Sequence, residues 1–273
     1  MVMKAWWYKA SVPNFGDDIS PIILEMLTGQ EVIKSTEEGS LCSIGSIAFQ
    51  NFPSPMQFWG SGAIDNNQGS SQIRNHKFHA VRGPQTRRRI IQAGGDCPEI
   101  YGDPGAVLPL LFDKESFGNG KKYEFGILPH YVDFDRVSTF ASCSDDNVNL
   151  IDIRSGHVNV IEGILSCDKL VTSSLHGLIV GEAYGVPTAF VEFGTKLFGR
   201  LFKFRDYFQS TNRELEYEEH FSGNDFDFKK IENLLSRMHK PDFDLRKFIN
   251  SFPAEVKNEA VLKYLLELNA QGE

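Results

Sequence analysis

Two short stretches hold the residue types that chemistry needs. Ser173-Ser174-Leu175-His176-Gly177 sets two hydroxyls beside an imidazole, and Asn14-Phe15-Gly16-Asp17 sets an amide and a carboxylate around a glycine. Both stand where a strand gives way to a helix. The unpaired backbone N–H groups and positive dipole end of a helix start make a ready phosphate site, and His176 would lie in the first helical turn beside any anion docked there. The alternative is that Ser173 and Ser174 only cap the helix, with His176 at the surface. Asn14, Gly16 and Asp17 likewise read either as a cleft constellation or as a turn chosen for its backbone, with acidic residues suited to the helix dipole.

The flanking pattern supplies the elements. Lys169 to Thr172 is β-leaning, Leu175 to Tyr184 repeats apolar residues at helical spacing, Gly185 and Pro187 stop that helix, and Thr188 to Phe193 returns as a buried strand. In an open α/β sheet such turns lie at the carboxyl edge, where ligands bind. Ala5 to Tyr8 predicts a first strand, followed by a helix from about Pro21 to Thr28 that Asp18 or Ser20 caps. Short β units over 31–34, 41–44 and 57–59 follow, and the last ends in Gly60-Ser61-Gly62, small residues that let another molecule approach the backbone. The strand 77–82 puts Arg82 at the same edge. Arg87, Arg88 and Arg89 read as a solvated helix face. Asp103, in a Gly-Asp-Pro-Gly turn, reads as a turn residue or a cleft carboxylate.

The polar run 112–122 reads as a linker. After it the strand–helix alternation restarts: strand 123–128 carries His130 past its end, and strand 148–153 ends at Arg154. The alternation predicts an α/β fold with mostly parallel sheets. Residues 1–113 would form an N-terminal Rossmann-like domain on the acceptor side, 121–240 a second one carrying the anion-binding turn, and 241–273 helices packing on both. A segment rich in aromatics and bases, with Lys196, Arg200, Lys203 and Arg205, predicts a loop or short helix near a cleft mouth. Trp7, Trp59, Phe204 and Tyr207 are candidates for stacking on sugar faces or for the core.

Composition bounds the function. The 273 residues carry a formal charge of −8, which argues against a nucleic-acid partner and requires any anion site to gather its bases locally. Apolar residues make up 41%, enough for globular cores. Cys42, Cys97, Cys143 and Cys167 show no paired spacing, His76 and His79 lack a third ligand, and no metal site is expected. With no leader-like start and no membrane-length apolar run, the expected location is the cytoplasm, peripheral to a membrane only through an acceptor.

Taken in order, Asn14-Phe15-Gly16-Asp17, the Ala-Val-Arg-Gly-Pro strand end at Arg82, Tyr-Gly-Asp-Pro-Gly at Asp103, Leu-Pro-His-Tyr at His130 and Ser-Ser-Leu-His-Gly at His176 make the chain resemble the polysaccharide pyruvyl transferase family, over most of residues 8–210. The form of the last motif, with the Lys-Phe-Arg-Asp-Tyr-Phe segment after it, is most similar to the subgroup of bacterial exopolysaccharide synthesis. The resemblance implies a GT-B-like pair of Rossmann-like domains facing a central cleft. It also implies transfer of pyruvate from phosphoenolpyruvate, a co-substrate rather than a cofactor, onto hydroxyls of a glycan or lipid-linked oligosaccharide, commonly as a cyclic ketal. His176 would be the acid and Asp17 would take the hydroxyl proton or steady positive charge. Asn14, Gly16, Gly60, Ser61, Gly62, Arg82, Asp103, His130, Arg154, Ser173, Ser174 and Arg205 would line the substrate site. Many members carry Arg before Leu-His-Gly where this chain has Ser174, so Arg82, Arg154 or Arg205 would supply that charge. A glycosyltransferase using a nucleotide sugar and a non-catalytic glycan-binding relative are the alternatives.

Overall fold

The computed structural model describes residues 2–67, 69–118, 120–141, 146–194, 199, 201–217 and 227–270. The first unit comprises β1 (Val2–Trp6), α1 (Phe15–Thr28), β2 (Glu31–Lys34), β3 (Leu41–Cys42), β4 (Gln57–Trp59), β5 (Lys77–Ala80), α2 (Pro84–Gln92) and the short α3 (Leu108–Leu111). The second comprises β6 (Tyr123–Leu128), α4 (Phe134–Ala141), β7 (Val148–Leu150), α5 (His157–Leu165), β8 (Cys167–Thr172), α6 (Leu175–Ala183) and β9 (Thr188–Phe190). After it come α7 (Phe202–Ser210), α8 (Phe228–Arg237), α9 (Leu245–Asn250) and α10 (Glu259–Ala270).

Both sheets are parallel throughout, with strand orders β2-β1-β3-β4-β5 and β7-β6-β8-β9. Parallel strands need helical crossovers that cover the sheet faces, so the carboxyl halves of the central strands, Phe125 to Leu128 in β6 and Leu170 to Thr172 in β8, are buried throughout. The fold is therefore Rossmann-like. The sheets are not insulated from each other: one apolar cluster runs from Ala5, Ile19 and Ile23 through Val107 and Leu108 to Leu128, Ile164, Leu170 and Val180.

Helix α1 departs from its predicted start. It begins at Phe15, so Asn14 is the N-cap residue and Pro21 lies inside the helix. Pro21 has no N–H for the carbonyl four residues back, that of Asp17, and is tolerated one turn beyond the usual place. The buried stripe Phe15, Ile19, Ile23, Leu24 and Leu27 holds the helix on the sheet regardless. Segment 202–210, expected to be a loop or short helix, forms the nine-residue α7, whose Phe204, Tyr207 and Phe208 pack with Phe190 and α6.

The chain's last helices return to the first unit. The Trp59 ring stacks on Phe248 of α9 at 4.4 Å and its Nε1–H donates to the Phe248 carbonyl, and Lys257 N–H donates to the Leu27 carbonyl. Helix α7 ties the units a second way. Arg82, past β5, donates through Nε to Asp206 Oδ2 at 3.1 Å, with side chains 1% and 0% exposed. Asp206 also accepts from Thr86 N and Thr86 Oγ1. Among the described residues no helix is long and apolar enough to cross a membrane. Because losing one member of a fully buried ion pair leaves the other charge uncompensated, Arg82→Met is expected to cost about 3–5 kcal/mol in equilibrium urea unfolding.

Candidate functional site at two facing switch points

In a sheet of order 2-1-3-4-5 the chain leaves β1 and β3 in opposite directions, opening a crevice beyond their carboxyl ends. The second sheet repeats the reversal between β6 and β8. A cavity of about 570 Å³ lies where these two crevices meet. Tyr8, Asn14, Asp17 and the 45–47 turn line it from the first sheet; His130, Tyr131, Val132, Ser174, Leu175 and His176 line it from the second, with Lys203 of α7 alongside.

The turn from β8 into α6 is rigidly built. Thr172 Oγ1 donates to the Leu128 carbonyl and accepts from Ser174 N–H. Ser174 Oγ caps Gly177 N–H, and Ser173 Oγ donates to Asp133 Oδ2 while accepting from His130 N–H. Ser173 is fully buried and its hydroxyl serves the scaffold; Ser174 also caps, yet reaches the cavity wall. His176 follows, packed so closely on Gly16 that a Cβ there would sit 1.8 Å from the imidazole Nδ1. Gly16 is thus required by the approach of α6 to α1, which brings two positive helix ends to one place.

Around the ring, burial sets the protonation states. His176 Nε2 has no hydrogen-bond partner among the described residues and lies 3.8 Å from Asp103 Oδ2. Burial, with the charges of Lys203 and Arg82, pushes the imidazole down to about 3, while burial pushes the Asp103 carboxyl up to about 6. Burial thus shifts both partners toward their neutral forms. Asp103 keeps one oxygen on Gly105 N–H, so it is both a turn residue and the neighbour of His176. His130 Nδ1 accepts from Val132 N–H, leaving the proton on Nε2, and burial lowers it to about 3 as well. Its ring lies tilted by 33° against that of Tyr131, centroids 4.4 Å apart.

At the α1 start, Asn14 Nδ2 donates to Asp17 Oδ2 at 2.8 Å, and burial lifts the Asp17 carboxyl to about 6. Asp17 therefore titrates close to neutrality, as a group that exchanges protons should.

Several predicted site residues fall elsewhere. Arg82 is buried on Asp206, Ser46 Oγ and the Ala63 carbonyl and does not line the cavity. Gly60 and Gly62 do admit a close neighbour, but it is the protein itself: Cβ atoms there would meet Pro104 Cδ at 2.4 Å and Arg82 Cζ at 2.2 Å. Ser61 is buried and donates to the Ser43 carbonyl. Arg154 pairs with Asp152 and lies over the Phe134 ring, outside the cavity wall, and Arg205 is exposed. Trp59, Phe204 and Tyr207 are core residues. Arg87 and Arg89 are engaged with the carbonyls of Cys97 and Asp65 rather than simply solvated. Cys42, Cys97 and Cys167 are buried free thiols; Cys143, Lys196 and Arg200 lie outside the described residues. Sequence reasoning named neither Tyr8 nor Tyr131 as a wall residue; Lys203 it placed near a cleft mouth with its basic, aromatic segment, without singling it out as a site residue. Among the described residues no His, Cys, Asp and Glu cluster could hold a metal ion.

Two parallel sheets whose switch points face one cavity define an α/β protein of Rossmann-like build. Comparison with known proteins gives the family: the polysaccharide pyruvyl transferase model matches residues 46–193, more than half of the chain, and the chain belongs to that family. It is 34% identical to the uncharacterised protein L143 of Acanthamoeba polyphaga mimivirus over 71% of this chain and 69% of that one. It is 26% identical to the succinoglycan biosynthesis protein ExoV of Rhizobium meliloti (strain 1021), over 76% of this chain and 65% of that one, so it spans just under two thirds of that relative. No solved structure matches. The matched stretch holds His130 and His176; Asp17 and Lys203 lie outside it.

A carboxyl held above its ordinary value binds its proton more tightly in the folded chain. Its stabilising contribution is therefore present at low pH and is lost as pH rises through about 6. Asp103→Asn is expected to melt at a higher temperature than the parent at pH 7.5 and to lose that advantage by pH 4, as followed by thermal melts across the range.

Proposed function

We propose that the protein transfers pyruvate from phosphoenolpyruvate onto hydroxyls of a sugar in a polysaccharide or its lipid-linked precursor, forming a ketal. The supporting observation is the convergence of two helix starts, His176 and Asp17 on one cavity, in a chain of the pyruvyl transferase family. In this reading the two units are the lobes of a GT-B-like arrangement, residues 1–113 on the acceptor side and 121–240 on the donor side, with cytoplasmic substrates.

The chemistry balances as follows. A proton adds to the methylene carbon of phosphoenolpyruvate, leaving positive charge at C2. One sugar hydroxyl attacks C2 and gives up its proton; the C2–O bond to phosphate breaks; the second hydroxyl attacks and gives up its own. Of the two hydroxyl protons, one replaces that placed on carbon and the other leaves with phosphate. Asp17, titrating near 6, is suited to take a hydroxyl proton. His176 is neutral while burial and Lys203 oppose its charge, and a dianion docked at the α6 start reverses that balance, so donor binding loads it with the proton it delivers. Tyr8 and Tyr131 offer ring faces for the acceptor.

The cavity is roomier than a three-carbon phosphate needs, and the same helix starts suit a diphosphate, which keeps a nucleotide-sugar glycosyltransferase as the second reading. Calorimetry with phosphoenolpyruvate in two buffers of different ionisation enthalpy should show net proton uptake and binding that tightens from pH 8 to pH 6. Incubation with phosphoenolpyruvate and a glycan panel should release phosphate and leave acid-labile pyruvate on sugar, and His176→Ala should abolish both. Tight binding of UDP or GDP sugars with no response to phosphoenolpyruvate would decide for the second reading.

A further inference from the structure

Lys203 is a buried lysine without an ionic partner among the described residues. Its residue is 9% exposed, its ammonium lies 5.4 Å from the centroid of the Phe204 ring but makes no hydrogen bond or ion pair with any described residue, and it faces the cavity. An ammonium taken out of water with no anion or hydrogen-bond acceptor is costly, and a ring face offsets only part of that cost. Asp206, one turn further along α7, shows the contrast, being saturated by Arg82 and Thr86.

The surroundings say what would complete it. The charged and titratable groups whose fields reach Lys203 are Arg82 past β5, Asp17 on α1, Asp133 before α4, His130 after β6 and His176 on α6. Arg82 is already neutralised by Asp206, Asp17 is bound by Asn14, and Asp133 accepts from Ser173. Both histidines are held neutral. The starts of α1 and α6 add partial positive charge. Asp17 and Asp133 favour the ammonium only through space and no described carboxylate pairs with it directly, whereas a phosphate or carboxylate in the cavity would meet it, the two helix ends and the imidazole N–H groups together.

We propose that Lys203 is the cation that seats the anionic group of the donor, doing from α7 what the turn before His176, with Ser174 in place, does not. The identity of that donor as phosphoenolpyruvate rests on the pyruvyl-transfer reading; the anion site does not. Burial and the repulsion of Arg82 bring the ammonium down to about 8, so its charge is present at neutral pH and lost just above.

Calorimetry on the wild-type chain and on Lys203→Met, with inorganic phosphate, phosphoenolpyruvate and UDP-glucose as probes, tests this. Wild type is expected to bind phosphoenolpyruvate with an affinity that falls as pH rises through about 8. Lys203→Met is expected to bind it about tenfold more weakly or worse at pH 7, without that pH dependence. Lys203→Met should also melt at a higher temperature than wild type, because an uncompensated buried charge is gone. Arg154→Ala and Arg205→Ala should bind as wild type does. Wild type that binds UDP-glucose and phosphate through Lys203 but ignores phosphoenolpyruvate would keep the anion site and remove pyruvyl transfer. The proposal is overturned if Lys203→Met binds the anions as tightly as wild type, if it melts lower, if wild-type affinity is flat between pH 7 and 9, or if none of the three probes binds.

Discussion

The contact on which the site depends is that of the His176 ring with Gly16. It holds the first turns of α1 and α6, from two different sheets, closer than any side chain at position 16 would permit. Two positive helix ends repel when brought together, and the repulsion is opposed by packing elsewhere: the apolar cluster shared by both sheets, the Arg82–Asp206 pair, and the bed of α6 over Thr172 and Thr188. The outcome is a protein of charge −8 that nonetheless brings two helix starts and the Lys203 ammonium to one seam.

Inside that seam the titratable groups are pushed toward neutrality. Carboxyls rise, imidazoles fall and the one lysine loosens its proton, all chiefly through burial. Such an arrangement is poised rather than settled, since each shift is large enough for a bound charge to reverse it. Perturbed groups gathered in a cavity are a mark of function more than of architecture, because the same burial elsewhere would simply select apolar residues.

Much of the fold was legible from the chain. Strand–helix alternation carried the parallel sheets, and β2, β4 and β6 fall on their predicted residues, because periodicity and turn residues report local backbone directly. The start of α1 was not legible: Pro21 looked like a first-turn proline, while the true cap, Asn14, lies before a buried stripe that overrides it. In the site, His176, Asp17, Asn14, Ser174 and His130 were placed at the right edge because the edge itself follows from strand order. The arginines were misjudged for a common reason. Sequence shows where a cation stands along an element, not which carboxylate lies opposite, and Asp206 and Asp152 had already claimed Arg82 and Arg154. Lys203 was placed near a cleft mouth but not told apart from the other bases of its segment, because α7 packs by aromatic rings whose interior face only the tertiary structure reveals.

The return of the C-terminal helices bears on how the chain comes into being. Trp59, in the fourth strand, stacks on a ring almost two hundred residues downstream and donates to its carbonyl. During synthesis the first sheet therefore emerges with a large indole lacking its cover, and that surface closes only once Phe248 has been made. So long-range a contact raises the contact order of the first unit and lengthens the time its apolar surface is open to association.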